Sequence, residues 1–209
     1  ERYIAAAERV VELMLPDRSP KSNAERRAYR LVFGALEPGP NLSEEEAANQ
    51  VLRRFLERAY RHPPSSTDLK QAVGRYSTAR RSGHDFFAAI KVALQAVLIS
   101  PKFLMRTETP PDTTDSKPYR ISDWDLASRL SYFIWASMPD AELRNLARQK
   151  TLSAPNVLAN QIDRMLSDPR ANTLGTSFAA QWLALRNLEA VSLSLPLYPE
   201  WGTDLREGF

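Results

Sequence analysis

The 209-residue sequence contains no cysteine. That excludes disulfides, thiol nucleophiles, thiolate metal sites and covalent c-type haem attachment within these residues, because the last needs a C-x-x-C-H motif. It does not identify the compartment. Histidine is nearly absent too, with only His62 and His84. They stand at no metal-ligand spacing such as H-x3-H, and a zinc site needs three or four donors. His62 precedes two prolines at a predicted helix end, and His84 sits beside Asp85 at a predicted helix start, so each has a structural explanation. Seven glycines are too few and too scattered for a P-loop or dinucleotide fingerprint. No G-x-S-x-G nucleophile motif occurs. Long apolar runs are missing as well. The longest stretch, "FFAAIKVALQAVLI", is interrupted by Lys91 and Gln95 and falls short of the roughly 18 apolar residues of a membrane span. No transmembrane segment is expected, and no signal peptide is visible, which says little for a sequence whose ends read as cut. The sequence starts inside a helical pattern, "ERYIAAAERVVELM", and stops at "WGTDLREGF" as a charged segment opens. Both ends read as cut, as in a piece of a longer polypeptide.

What is present is ordinary for a globular protein: 43% hydrophobic and 25% charged residues. The 28 basic residues include only six lysines, so arginine carries most of the positive charge against 25 acids. Acids are interleaved with the arginines almost everywhere, which reads as solvated helix faces laced with ion pairs. A nucleic-acid footprint requires a concentrated basic stripe. "RAYRHP" and "STARRSGH" come nearest, and each is short enough to be helix surface. No nucleic-acid partner is expected; an anion or nucleic-acid binder using the arginine-rich helix from Gln50 to Arg61 is the weaker reading. The sequence assigns no oligomeric state.

Apolar residues recur at three- and four-residue spacing almost throughout, and strand-like alternation is scarce. The fold class read from this is all-α: a multi-helix bundle of about eight to nine helices with proline-rich connecting loops. A first helix covers about Glu1 to Leu15, with Ile4, Ala7, Val11 and Met14 on one face. Ser22 or Asn23 caps a second, through Leu36. Ser43 and Glu46 form an S-x-x-E capping box for a third, to Arg61, with Val51, Leu52, Phe55 and Ala59 inward. Ser66 or Thr67 caps a fourth, to about Ser82. The segment from His84 to Ser100 is apolar around much of its circumference and is expected to be central; Pro101 closes or kinks it. "TETPPDTTDSKPY" is the best internal boundary. Ser153 before Pro155 and Asp168 before Pro169 are start signals with proline in the first turn. In the last long helix, Leu174, Phe178, Trp182 and Leu185 share one side.

The densest stretch is "SDWDLASRLSYFIWASMPDAELRNLA", Ser122 to Ala147. Asp123 and Asp125 are candidate paired carboxylates for acid–base work. Both are also explained by helix starts, because Ser122-x-x-Asp125 is a capping pattern. Arg129 follows Asp125 by four residues, the spacing of an ion pair along a helix. Leu126, Leu130, Phe133 and Ile134 make one stripe, and Ser128, Tyr132 and Trp135 another. No residue is assigned a catalytic, cofactor-binding or metal-binding role. The interaction candidates are Asp125, Arg129, Tyr132, Trp135 and Trp182.

The same residues carry a resemblance. "DLASRLSYFIWASMPDAELRNLA", "QIDRMLSDPRA", "FAAQWLAL" and "LYPEW" together resemble planctomycete-specific domain four. "VLRRFLERAYRHPPSSTDL" and "FFAAIKVALQAVLISPKFLMRTE" resemble planctomycete-specific domain five, its usual upstream neighbour. "ERYIAAAERV" is similar to the end of the domain before that. The resemblance divides the chain into 1–16, the end of an upstream domain, 22–108, like domain five, and 119–209, like domain four and truncated. It transfers no catalytic residues. Relatives often have cysteines at the positions of Ala35 and Ala47, so any bridge or thiol role there is absent here.

The resemblance implies a periplasmic or cell-envelope protein associated with a c-type cytochrome. Haem c would sit elsewhere in the full-length protein, with no cofactor in this segment. The function expected is a non-catalytic helical scaffold or docking module whose partners are other domains of the same polypeptide, including a cytochrome domain. The alternative is part of a redox or carbohydrate-active enzyme completed by other domains.

Overall fold

The computed structural model describes residues 2–15, 22–34, 36–106, 108 and 119–184. The chain is all-α and divides into two compact units, Glu1–Ser116 and Lys117–Phe209. Among the described residues the one extended pairing is an isolated bridge between Gly39 and Leu42. None of the described helices is long and apolar enough to cross a membrane.

The first unit holds helices α1 (Arg2–Met14), α2 (Asn23–Val32), α3 (Glu44–Tyr60), α4 (Ser66–Arg81), α5 (Phe86–Leu98) and the single turn α6 (Pro101–Leu104). Three of these helices begin at reciprocal capping boxes: Ser22 with Glu25, Ser43 with Glu46, and Ser65 with Asp68. In each, the serine oxygen takes a free backbone N–H and the acid takes the serine's own N–H. The cap of α4 is therefore Ser65, not Ser66 or Thr67. The acid three residues on selects it, since Ser66 and Thr67 lead to Leu69 and Lys70. Helix α2 stops at Val32 rather than Leu36, because Gly34 takes a left-handed φ of +63° that ends helical bonding.

Helix α5 is the centre of this unit. It packs against α1, α3, α4 and α6 and buries Phe86, Ala89, Ile90, Ala93, Leu94, Val97 and Leu98. Tyr29, Phe33, Tyr76, Phe86 and Phe87 form a contiguous aromatic cluster with neighbouring centroids 4.7–6.4 Å apart, distances at which aromatic pairs attract. Of the face predicted on α1, Ala7 and Val11 are buried, Met14 is half-buried and Ile4 is exposed. Ala47 lies fully buried in α3, and Ala35 falls outside the described residues. Pro101 does not kink α5; it opens α6 from the Ser100 cap.

The second unit holds α7 (Asp123–Trp135), α8 (Ala141–Gln149), α9 (Pro155–Leu166), a 3-10 turn (Pro169–Asn172) and a π-helical stretch (Leu174–Ala179) that runs into α10 (Ala180–Trp182). Ala127, Ile134, Trp135, Leu143, Ala147, Leu152 and Met165 make its core. The buried face of α7 is Ala127, Ser131, Ile134 and Trp135, an i, i+4, i+7, i+8 set. The core takes residues from both predicted stripes: Ile134 from the first, whose Phe133 is 56% exposed, and Trp135 from the second. The N-cap of α9 is Ala154, without a side-chain bond. Ser153 does not cap it; its N–H donates to Asp123 Oδ2 at 3.4 Å. Leu185 lies outside the described residues.

Candidate functional site

In the second unit the polar side chains gather around one indole. Trp135 ends α7, where Ala136 turns left-handed at φ +48°. The ring is 2% exposed, and its Nε1–H donates to the Met165 carbonyl at 2.9 Å. That carbonyl lies in the last turn of α9, where main-chain acceptors run out of helical partners. The Arg170 guanidinium carbon lies 3.5 Å from the ring centroid, and that of Arg164 lies at 5.5 Å. Both are within cation–π range.

Each arginine is also held by carboxylate. Arg170 reaches Asp168 through Nε at 2.9 Å and Nη2 at 2.7 Å, and its backbone N–H also donates to Asp168. The Arg170 side chain, its N–H and its charge hold the Asp168 carboxyl down at about 2. Arg164 reaches Asp140 at 2.7 Å and donates through Nε and Nη2 to Gln161 Oε1. Gln161 in turn donates to Glu142 at 2.7 Å. Burial opposes ionisation of Asp140. The bonds from Arg164 and the Leu143 N–H, with the charges of Arg164 and Arg170, outweigh it and hold the carboxyl below its ordinary range. Asp140 is also the N-cap of α8. The network therefore ties the starts of α8 and the 3-10 turn to the ends of α7 and α9.

Among the predicted residues Trp135 belongs to this network. Asp125 is half-buried at the α7 cap: its N–H donates to Ser122 Oγ at 3.1 Å, and its carboxylate accepts the Ser122 hydroxyl at 2.6 Å. Asp123 accepts the Leu152 N–H at 2.8 Å and holds the α8–α9 connection. Arg129 is exposed and Tyr132 half-buried on α7. Trp182 is 76% exposed and stacks on Phe178, with centroids 6.2 Å apart and planes 15° apart; Phe178 meets Phe133 edge-on at 5.3 Å. Arg164 and Arg170 were missed because the ring they cover, Trp135, lies in another helix. The signals available were "DPR", which places an arginine two residues past an N-cap aspartate, and the buried tryptophan.

The first unit carries a concavity. A groove of about 800 Å³ runs between α4 and α5. Gln71, Gly74, Arg75, Thr78 and Arg81 form the α4 wall, and Ala93, Ala96, Val97 and Ser100 the α5 wall. Asp68 lies at one end, 7% exposed, with Lys102 Nζ at 2.8 Å and the Ser65 hydroxyl at 2.7 Å. Burial works against the Asp68 charge, but the bonds from Lys102 and Ser65 win and lower its pKa. Beside it Arg61, at φ +64° and 8% exposed, donates from Nη2 to the carbonyls of Lys102, Phe103 and Met105 at 2.7, 3.1 and 2.8 Å. That arginine clasps the end of α6 to the end of α3. Among the described residues no group of three or more His, Asp or Glu is placed to hold a metal ion.

With this geometry in place, the comparisons locate the chain. Residues 47–108 match the family PSD5, a protein of unknown function (DUF1595). Residues 121–209 match the family PSD4, a protein of unknown function (DUF1592). Two domains of unknown function therefore follow one another in the order expected from the resemblance. The groove and Arg61 fall in the first, and the Trp135 network in the second. No curated protein and no solved structure matches the chain.

Proposed function

We propose that the chain is a non-catalytic helical docking module of a cell-envelope protein associated with c-type cytochrome electron transfer. Its docking face is the α4–α5 groove. One observation carries this reading: an open groove with an exposed α4 wall that bears guanidinium groups, set against small α5 side chains of which Ala96 is half-buried while Ala93 and Val97 lie buried at the floor. Such a concavity suits a protein segment better than a small molecule, since small-molecule sites enclose most of their ligand. The titratable groups at its Asp68 end are already committed. Asp68 is held by Lys102 and Ser65, and Arg61 by three carbonyls. The setting in the envelope and the cytochrome association come from the family resemblance.

Amide hydrogen exchange tests this reading. The isolated chain is compared with the same residues in the native envelope assembly. Docking is expected to slow exchange along Gln71–Arg81 and Ala93–Ser100 in the assembly. Equal exchange in both states would refute it.

A further inference from the structure

We infer that the occupant of the α4–α5 groove is an acidic amphipathic helix, lying along it with a small-residue face toward Gly74; this rests on the docking reading above. The first observation is Gly74 itself. It sits in the interior of α4, where glycine is unfavourable relative to alanine. Its φ is not left-handed, and a Cβ built on it would meet nothing within 4 Å. Among the described residues nothing therefore requires glycine at this position. It lines the groove, and an absent Cβ there lets another backbone approach closely. Thr78, exposed one turn on, and the half-buried Ala96 opposite continue a surface on which a helix can settle at close range, with Ala93 buried at its floor.

The second observation is charge. The same stripe of α4 carries Arg75 and Arg81 into the groove. Among the described residues no carboxylate pairs with Arg75. Arg81 donates to Thr78 Oγ1 at 3.3 Å. The carboxylate at the far end, Asp68, is matched by Lys102. The groove is thus positive along one rim, and complementary potential selects an acidic partner. The same charge argues against a second copy of this chain. Two grooves facing each other across a twofold would set one pair of arginines against the other. Helix-in-groove recognition, with small or apolar anchors on one face and charges on the flank, is the mode this surface fits.

The test is a heteronuclear NMR titration of the 209-residue chain with two synthetic 16-residue helical peptides. Both carry an alanine face; one has glutamates along its flanks and the other lysines at the same positions. The glutamate peptide is expected to shift the amides of Gly74, Thr78, Ala93 and Ala96, and the lysine peptide to leave them in place. An Arg75→Glu, Arg81→Glu double variant is expected to weaken the glutamate peptide at least tenfold. Gly74→Leu is expected to abolish its binding while the thermal transition stays at or above that of the parent. Gly74→Ala, which adds one methyl to open space, should weaken it without unfolding anything. Equal affinity for the two peptides, shifts elsewhere on the chain, or full binding by Gly74→Leu would each overturn the proposal. Exchange protection in the native assembly without glutamate-peptide binding would leave the docking face standing and refute the acidic helix as its occupant.

Discussion

The guanidinium carbon of Arg170 lies 3.5 Å from the centroid of the Trp135 ring. The two residues are 35 positions apart, and their contact joins the end of α7 to the turn after α9. Arg170 is pinned from its other side by Asp168 through two side-chain bonds. A planar cation held flat by a carboxylate fork is pre-organised to stack on an indole.

Trp135 is expected to be the most sensitive position in the second unit. Trp135→Phe keeps an aromatic ring but removes the indole bond to the Met165 carbonyl, which still accepts the Asp168 N–H, a loss of about 0.5–1.5 kcal/mol for one hydrogen bond. Trp135→Ala also opens a cavity and is expected to cost about 3–5 kcal/mol. Urea denaturation followed by circular dichroism checks both values. Equal stability of all three proteins would contradict the burial of the indole.

Arg170→Gln tests the fork. Without the guanidinium, the Asp168 carboxyl should rise from about 2 toward the ordinary aspartate range. Arg170→Lys should leave it partly lowered, because charge remains but the two-point geometry is gone. Side-chain carboxyl titration by NMR reads this directly.

Two glycines are expected to respond oppositely to alanine. Gly34 holds φ at +63°, and a Cβ there would meet Arg54 Nη1 at 2.5 Å. Gly34→Ala should destabilise by about 1 kcal/mol or more, since alanine strains in that backbone region. Gly74→Ala should stabilise by about 0.5–1 kcal/mol, because it improves a helix interior and meets no neighbour. Paired thermal melts check the signs.

Stability should fall at both extremes of pH, for different groups. Burial raises the Tyr76 phenol to about 12, helped by its bond to Glu44 and opposed by Arg80. The native state holds that proton more tightly, so its contribution is complete below about pH 10 and disappears as pH climbs toward 12. Asp68, Asp140 and Asp168 are all lowered. Their contribution is complete above the ordinary carboxylate range and disappears as pH falls through their native values, down to about 2 for Asp168. Denaturant midpoints between pH 2 and 12 should show a plateau with two declines. Tyr76→Phe should remove much of the alkaline one.

Much of the fold was legible because its signals are local. Ser43 with Glu46 and the apolar run of α5 are each read within a few residues. Ser65 was missed in favour of its neighbours, although the acid three residues on marks it. The buried face of α7 was not legible, for a non-local reason. Phe133 and Trp135 are both large aromatics, and only the packing of Met165, Arg164 and Arg170 from later in the chain turns the tryptophan inward. The candidate site was legible only at Trp135, since an arginine does not announce which distant ring it covers. The groove was not legible at all, because a glycine in a helix reads as a weak spot until its open neighbourhood is seen.

The absence of cysteine from the chain makes the docking claim directly measurable. A single Thr78→Cys variant places a thiol on the α4 wall of the groove, and an Arg148→Cys variant provides a control on α8. Maleimide labelling rates are compared for the isolated chain and for the chain in the assembly proposed above. The expected result is a fall of at least tenfold at position 78 in the assembly. Equal labelling at position 78 in both states would contradict the docking role.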